Sequence, residues 1–357
     1  MTNGPGAGAL RTDFQQNASR RFKAVDGLRA LAVALVFAVH GYFNVFRGGF
    51  IGVDIFFVIS GFVITRSLVT DGINFKRFYI HRFFRILPPI LPVLVFFAIA
   101  NLFGLALASW QDIWLSLLSL MNWGRAFGYT EGGFLGHFWS LGIEEQFYLV
   151  WPFALVLLLK ENVRQHSIVI LAAVLAAFVL WQFWMSQQSV PHARIYNGLD
   201  TRASQLLLGA LLFFVLPRIT IPKAVFLAAV VALAVIVFTI NSTTQFYVSY
   251  GIALIGILAF IVVGYCAQNT GGLVGPLEWP VTQWLGRRSY AIYLWHWPMI
   301  GLCVEAGQSI GARRFVALFV ALVLTLVLSE LSYRFVEKPA YGLRDRLDRK
   351  RLEVVPQ

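Results

Sequence analysis

Long apolar segments separated by short polar connections make up most of the chain. Ten of them can be followed, at 28–46, 50–69, 86–107, 139–159, 168–185, 203–217, 222–240, 246–266, 287–304 and 313–337. A helix needs roughly 20 apolar residues to cross the hydrocarbon core of a bilayer. The segments are continuously apolar and lack the alternation of transmembrane strands. The pattern therefore predicts an all-α fold, a polytopic transmembrane helical bundle of about ten spans.

Composition excludes an ordinary soluble domain. Hydrophobic residues make up 58% of the chain and charged residues only 13%, whereas about a quarter of a soluble domain is charged. The two cysteines, Cys266 and Cys303, lie within or at the end of apolar segments. They give no disulfide framework and no zinc-binding spacing, so we expect no bound metal.

Basic residues are concentrated in every second connection between the apolar segments. With the amino terminus in the cytoplasm, the inner connections and tail hold 22 Lys and Arg residues and the outer connections hold 6, Arg202 among them, with Arg29 inside the first segment. Lys and Arg in short loops stay on the cytoplasmic side, so both termini are predicted to be cytoplasmic. The formal charge of +12 is then explained by topology and anionic lipid, without nucleic acid as a partner.

This pattern predicts three regions. Residues 1–20 are Gly-rich and polar, contain no signal-peptide core, and are predicted to form a disordered cytoplasmic segment. Residues 21–340 form the transmembrane domain. Residues 341–357 form a basic cytoplasmic tail, which we expect to contact lipid headgroups.

Ionisable residues at membrane depth are costly and usually face the bundle interior. Arg29 and His40 are eleven residues apart, about 16 Å along one helix and on nearly the same face. Asp54 and Glu144 follow connections on the outer side and reach a depth similar to that of His40. A carboxylate can orient an imidazole that removes a proton from a hydroxyl group. We therefore predict a dyad of His40 with Glu144, or with Asp54; the alternative is a histidine that only packs helices together.

A basic, aromatic stretch precedes the third apolar segment. Arg82 and Arg85 are three residues apart, so on a helix they point the same way and could bind a polyphosphate. The alternative is a topological signal that contacts lipid headgroups.

Several short motifs occur in a fixed order along the chain. They are Asp26-Gly27-Leu28-Arg29-Ala30, Arg29 with His40, Gly52-Val53-Asp54-Ile55-Phe56-Phe57 with Ser60-Gly61-Phe62, Arg82-x-x-Arg85, Trp139-Ser140-Leu141 with Glu144-x-x-Phe147-Tyr148, Arg202 before Leu207-Leu208-Gly209, and Leu285-Gly286-Arg287-Arg288-Ser289-Tyr290 ahead of Tyr293-Leu294-Trp295-His296. Together they resemble the acyltransferase 3 family, bacterial membrane proteins that move acyl groups from acyl-coenzyme A to sugars, lipids or small molecules. The resemblance extends from Phe22 to Pro339.

The resemblance implies roles for particular residues. His40 would be catalytic, while Arg82 and Arg85, with Arg29, would bind the phosphates of the donor. The remaining candidates either line the path or stabilise an oxyanion, or have structural roles; they are Ser140, Tyr148, Ser289, Tyr290 and His296. Arg202 is a further candidate from the motifs, with no role assigned. His40 would either deprotonate the acceptor or carry the acyl group itself.

The resemblance also implies an activity and a location. We expect an O-acyltransferase of the bacterial inner membrane that moves an acyl group, acetyl above all, from cytoplasmic acyl-CoA to a hydroxyl of a cell-envelope saccharide or a lipid-linked acceptor. Acyl-CoA would be a substrate, with no permanently bound cofactor. Many family members continue into an extracytoplasmic hydrolase-like domain, whereas here Glu337-Lys338-Pro339 is followed only by the basic tail, so transfer is expected within the membrane domain.

Two other classes of protein remain as alternatives. A proton-coupled transporter could also use an intramembrane histidine with carboxylates, but no inverted repeat is apparent in the sequence. A structural scaffold would not need His40, Asp54 and Glu144 at one depth. Acyl transfer that depends on coenzyme A would distinguish the enzyme from both.

Overall fold

The computed structural model describes residues 22–41, 44–70 and 72–353, so the predicted disordered segment at 1–20 lies outside the described residues. In the described part of the chain all regular structure is helical, which confirms the all-α prediction. The helices are α1 (Lys23–His40), α2 (Ile51–Thr70), α3 (Phe75–Leu102), α4 (Trp110–Leu117), α5 (Met121–Ala126), α6 (Phe138–Leu158), α7 (Glu161–Arg164), α8 (Ser167–Gln187), α9 (His192–Asn197), α10 (Leu199–Val215), α11 (Lys223–Thr239), α12 (Ile252–Gln268), α13 (Pro280–Ser309), α14 (Arg314–Ser332) and α15 (Lys338–Glu353).

Seven helical stretches in the described residues are long and apolar enough to cross a membrane. They are Ile51–Thr70, Phe75–Leu102, Phe138–Leu158, Ser167–Gln187, His192–Arg218, Tyr247–Gln268 and Arg314–Asp348. The other three predicted spans are also helices: α11 has only 17 residues, and α1 and α13 carry several charged or polar side chains. The chain is therefore a multi-pass membrane protein. The count of about ten spans and the cytoplasmic position of both termini remain predictions.

Burial separates the central helices from the peripheral ones. The apolar windows of Ile51–Thr70 and His192–Arg218 are each 72% buried, against 17% for Ser167–Gln187. Helices α2 and α10 therefore form the centre of the bundle, whereas α8 directs most of its apolar surface outward. Since membrane lipid is as apolar as leucine, such a surface is stable in a bilayer.

Two motif glycines allow the central helices to touch. A Cβ atom added to Gly61 would lie 1.9 Å from the backbone oxygen of Leu206, and one added to Gly209 would lie 2.0 Å from that of Val58. Both distances are impossible for a larger residue, so α2 and α10 pack backbone against backbone. Small residues at such crossings are typical of helix packing in membranes.

The basic tail contacts the bundle directly. Residues 338–353 form helix α15, and its Asp348 lies 2.6 Å from Nε2 of His81 on α3. The sequence analysis predicted lipid headgroups as the partner of this segment and did not predict a contact with α3.

Candidate active site

One cavity between α1, α2, α3, α6 and α13 brings together most of the predicted site residues. Eight of them line it: Arg29, Arg82, Arg85, Ser140, Glu144, Tyr148, Ser289 and Tyr290. Tyr293, which the sequence analysis did not select, lines it as well. The fold therefore assembles one site from residues that lie far apart in the sequence.

The arginines give this cavity a cationic end. The guanidinium carbon of Arg82 lies 5.3 Å from the centroid of the Tyr148 ring, a cation–π contact. Its Nε is buried and has no hydrogen-bond partner among the described residues. Arg29 contacts Asp26 at 3.1 Å, and Arg85 also faces the cavity. An anion bound here would satisfy a buried donor that the described protein atoms leave unpaired.

Glu144 lies in the same cavity and does not contact His40. Its carboxylate accepts a hydrogen bond from the Ser60 hydroxyl at 2.8 Å and another from the Tyr148 hydroxyl at 3.1 Å. These contacts correct the expected Glu144 dyad, because both oxygens are directed towards α2 and along α6. Glu144 is placed to balance the charge of the arginines.

Asp54 is paired with Arg202 in the protein core. The two side chains are 0% exposed, with an Arg202 nitrogen 2.7 Å from the Asp54 carboxylate. Gln205 and Tyr247 also donate hydrogen bonds to that carboxylate. A buried guanidinium requires a counter-ion, and Asp54 supplies it. The expected contact of Asp54 with His40 is therefore corrected, and Asp54 lies outside the cavity lining.

Arg202 also differs in position from its prediction. The charge count assigned it to an outer connection, whereas it lies in the first turn and a half of α10 and is fully buried. Its guanidinium carbon lies 5.4 to 5.8 Å from four aromatic ring centroids, those of Phe57, Trp139, Tyr196 and Tyr247. It therefore joins helices in the core.

His40 has a second histidine as its partner. His40 Nδ1 lies 2.8 Å from Nε2 of His296, and Nδ1 of His296 lies 2.5 Å from the backbone oxygen of Tyr293. A carbonyl oxygen only accepts, so in neutral His296 the proton is on Nδ1 and Nε2 is the acceptor. His40 then donates from Nδ1, and its Nε2 carries a lone pair. The neighbouring imidazole fixes the tautomer that a general base or a nucleophile needs.

A third histidine and a tyrosine connect this pair with the cavity. The ring of His137 lies 5.3 Å from that of His296, and its Nε2 is bonded to the backbone oxygen of Leu294 at 3.1 Å. The Tyr293 hydroxyl is 2.6 Å from Oγ of Ser140. Sequence reasoning missed His137 and Tyr293, although the spacing of Tyr293 and His296 places both on one helix face. In the described residues no three His, Cys, Asp or Glu side chains are arranged to hold a metal ion.

The arginines, the Ser140/Tyr293 pair and the His40/His296 pair follow one another in this order through the bundle. Ser140 and Tyr148 are eight residues apart on α6, which is about 12 Å. Arg82 packs on Tyr148 at one end, and Tyr293 bonds Ser140 at the other. Beyond Tyr293, its ring centroid 5.1 Å from that of His296, lies the His40/His296 pair. An elongated ligand with an anionic head and a reactive tail would fit this arrangement.

His296 is expected to act as a positioning residue. In His296→Gln the side-chain oxygen can still accept from Nδ1 of His40, whereas His296→Phe removes the acceptor on α13. We expect kcat to fall by about 100-fold in the Phe variant and clearly less in the Gln variant, with the KM for the acyl donor unchanged in both. Steady-state kinetics of the two variants test this. Equal losses in both would show that ring volume, and not the hydrogen bond, is required.

The chain is similar to known acyltransferases over most of its length. A family profile described as an acyltransferase domain matches residues 22–334. A peptidoglycan O-acetyltransferase of Listeria monocytogenes is 35% identical over 353 residues, covering 90% of this chain and 56% of the relative. A proposed peptidoglycan O-acetyltransferase of Bacillus subtilis is 32% identical, with 90% and 55% covered. A proposed O-acetyltransferase of Staphylococcus aureus is 33% identical, with 90% and 57% covered.

The chain spans a little over half the length of the curated relatives it matches. No solved structure matches it. The family profile nevertheless includes the whole cavity and the three histidines, since they all lie between residues 22 and 334. The resemblance seen in the motifs is confirmed, and the chain belongs to the acyltransferase 3 family of membrane acyltransferases.

Proposed function

We propose that this chain is an O-acetyltransferase of the bacterial inner membrane. It takes the acetyl group from cytoplasmic acetyl-CoA and delivers it to a hydroxyl of a cell-envelope saccharide. The observation that carries the proposal is the cavity that has arginines at one end and Ser140 with Tyr293 at the other, where the Tyr293 ring adjoins His296, the hydrogen-bond partner of His40. A transporter or a scaffold would need no such alignment of an anion site with an oriented imidazole.

The arginine end suits the diphosphate of coenzyme A. Arg82 and Arg85 are three residues apart on α3, so both face the cavity and can donate charge-assisted hydrogen bonds. Arg29 adds a third cation from α1. The pantetheine arm is neutral and extends along α6 towards Ser140, which brings the thioester close to the histidines.

The reaction needs one proton acceptor close to the thioester. Nε2 of His40 takes the proton of the acceptor hydroxyl, the hydroxyl oxygen attacks the thioester carbonyl, and the carbon–sulfur bond breaks to release coenzyme A, which leaves as its thiol after protonation. In the alternative route Nε2 attacks the carbonyl first and passes the acetyl group on. The hydroxyl groups of Ser140 and Tyr293 lie at the end of the cavity next to the imidazoles, bonded to each other and to the backbone oxygen of His137. A hydroxyl that turns its proton from that backbone oxygen to the oxyanion would stabilise it.

The proposed class of acceptor is taken from the names of the relatives. The Listeria relative is named as a peptidoglycan O-acetyltransferase, so a saccharide of the cell wall is the acceptor we propose. It would approach from the His40 end of the bundle, which the distribution of basic residues predicts to be the outer end. Donor and acceptor would then meet from opposite sides of the membrane.

Donor binding provides the direct test. In lipid nanodiscs that contain the purified chain, we expect release of coenzyme A from acetyl-CoA when peptidoglycan fragments are added. Arg82→Gln and Arg85→Gln should each raise the KM for acetyl-CoA by about tenfold, the worth of a charge-assisted hydrogen bond, with the KM for the acceptor unchanged. Arg164→Gln, at an exposed arginine outside the cavity, is the control. No turnover by the wild-type chain would refute the proposal, and equal changes in both KM values would remove the arginines from donor binding.

A further inference from the structure

A second, smaller pocket lies where α3 begins. Its polar lining consists of Ser67, Asn74, Arg77, His81 and Arg82, and we call it the α3-start pocket. In this stretch a phosphate-binding role was predicted for Arg82 and Arg85, and none for Arg77 or His81. The polar lining and two cationic side chains make this pocket suitable for an anion.

The α3-start pocket adjoins the cavity described above. Arg82 lines both of them. Arg77, His81 and Arg85 follow one another at intervals of four residues, which places them along one side of α3 over about 12 Å. This row, the basic track, leads from the α3-start pocket to the end of the cavity where the donor diphosphate is proposed to bind.

An internal carboxylate already occupies the basic track. Asp348 of α15 accepts a hydrogen bond from Nε2 of His81 at 2.6 Å, and the same oxygen lies 3.4 Å from Nε of Arg77. Most of the charges around it on α15 are basic. One anionic oxygen can therefore contact both Arg77 and His81. This contact supports anion binding by the two side chains independently of the shape of the pocket.

We propose that the α3-start pocket binds the 3′-phosphate of coenzyme A, and that Asp348 holds Arg77 and His81 when no donor is bound. The inference rests on the proposed function. Coenzyme A carries two separate anionic groups, a diphosphate and a phosphate monoester, so a complementary protein needs two cationic subsites. Arg29, Arg82 and Arg85 serve the diphosphate, and Arg77 with His81 serves the monoester. On donor binding the phosphate replaces the Asp348 carboxylate.

Coenzyme A and dephospho-coenzyme A differ only in this phosphate, which makes them the probes of choice. We expect wild-type chain in neutral phosphatidylcholine nanodiscs to bind coenzyme A about tenfold more tightly than dephospho-coenzyme A. Arg77→Gln should bring that ratio close to one. Lys76→Gln removes the same charge from the neighbouring exposed residue, which does not line the pocket, and should leave the ratio unchanged. Calorimetric titration measures all six affinities.

Asp348→Asn provides an independent measurement on the opposite side of the contact. Removing the internal anion should tighten binding of coenzyme A severalfold and leave dephospho-coenzyme A unaffected. The control is Asp345→Asn on the same helix, where the carboxylate pairs with Arg344 at 2.7 Å and does not reach the basic track. An unchanged affinity in Asp348→Asn would refute the competition between carboxylate and phosphate.

The bound phosphate could belong to coenzyme A or to a lipid headgroup, and varying the ligand and the lipid separately distinguishes the two. If Arg77→Gln weakens both ligands equally, and only in nanodiscs that contain phosphatidylglycerol, the pocket holds a lipid headgroup and the proposal is wrong. If Arg82→Gln weakens coenzyme A while the ratio in Arg77→Gln stays that of wild type, this inference fails and the proposed function stands. If the wild-type chain binds no coenzyme A, both fail.

Discussion

His40→Ala is expected to abolish acetyl transfer, by about 100-fold or more, the worth of a positioned general base. The imidazole is the group whose Nε2 lone pair the His296 contact leaves available. Binding of acetyl-CoA should persist, because the proposed phosphate contacts lie at the opposite end of the cavity. The measurement is coenzyme A release together with a separate titration of donor affinity.

His192, which lies away from the site, offers the matched control for this substitution. Nε2 of His192 bonds to the backbone oxygen of Ser242 at 2.7 Å, outside the cavity and the three-histidine cluster, so His192→Ala should keep nearly full activity. Retention of more than about a tenth of the wild-type rate in His40→Ala would remove His40 from the catalytic role. Mass spectrometry of the chain with acetyl-CoA and without acceptor separates the two routes: an acetyl group on His40 indicates the nucleophile, and its absence while acetyl-CoA is bound indicates the base.

The fold was largely predictable because the signal for a membrane helix is strong and local. Continuous apolar segments have few other stable forms in lipid, and a helix occupies most of each of the ten predicted segments. The boundaries were less certain. The third segment was predicted at 86–107, whereas α3 begins at Phe75, so the basic stretch before it belongs to the same helix. Charged residues at a helix end do not disturb the helix, although they end the apolar pattern.

The partner of His40 could not be predicted from depth. A count of residues along a helix gives height in the membrane, but the rotation of the helix about its axis determines which neighbour a side chain meets. Glu144 is directed towards Ser60 and Tyr148, and the partner of His40 comes from α13, 256 residues further along the chain. Such a contact depends on how α1 and α13 pack, which no local pattern contains.

The Asp54/Arg202 pair shows the same limitation in electrostatic terms. Arg202 was counted with the outer, exposed charges, so no counter-ion for it was sought. In the structure it is completely buried, and a buried cation without a partner would cost several kcal/mol. That requirement accounts for Asp54, which the depth argument had offered as a catalytic residue. Because Arg202 was assigned to the outside of the protein, Asp54 was predicted as a catalytic residue and not as the counter-ion of Arg202.

Asp54→Asn is expected to destabilise the protein strongly and so to separate a structural role from a catalytic one. Loss of one partner of a buried pair costs about 3–5 kcal/mol, because the other charge stays buried without compensation. Asp345→Asn is the control: Asp345 also pairs with an arginine, Arg344 at 2.7 Å, but its side chain is 52% exposed, and pairs at the surface contribute only about 0–1 kcal/mol. The midpoint of thermal unfolding in detergent should fall markedly in the first variant and little in the second.

The double variant Asp54→Asn with Arg202→Gln completes the test. Removing both charges leaves no uncompensated ion in the core, so part of the lost stability should return, because replacing a buried pair is tolerated much better than breaking it. A catalytic carboxylate would behave differently, since the second substitution could not restore its charge. If Asp54→Asn unfolds at the wild-type temperature and yet loses turnover, Asp54 acts in the reaction and the structural assignment is wrong. Recovery of the folded fraction together with activity in the double variant would place Asp54 and Arg202 outside the chemistry, leaving His40, oriented by a neutral imidazole, as the proton acceptor.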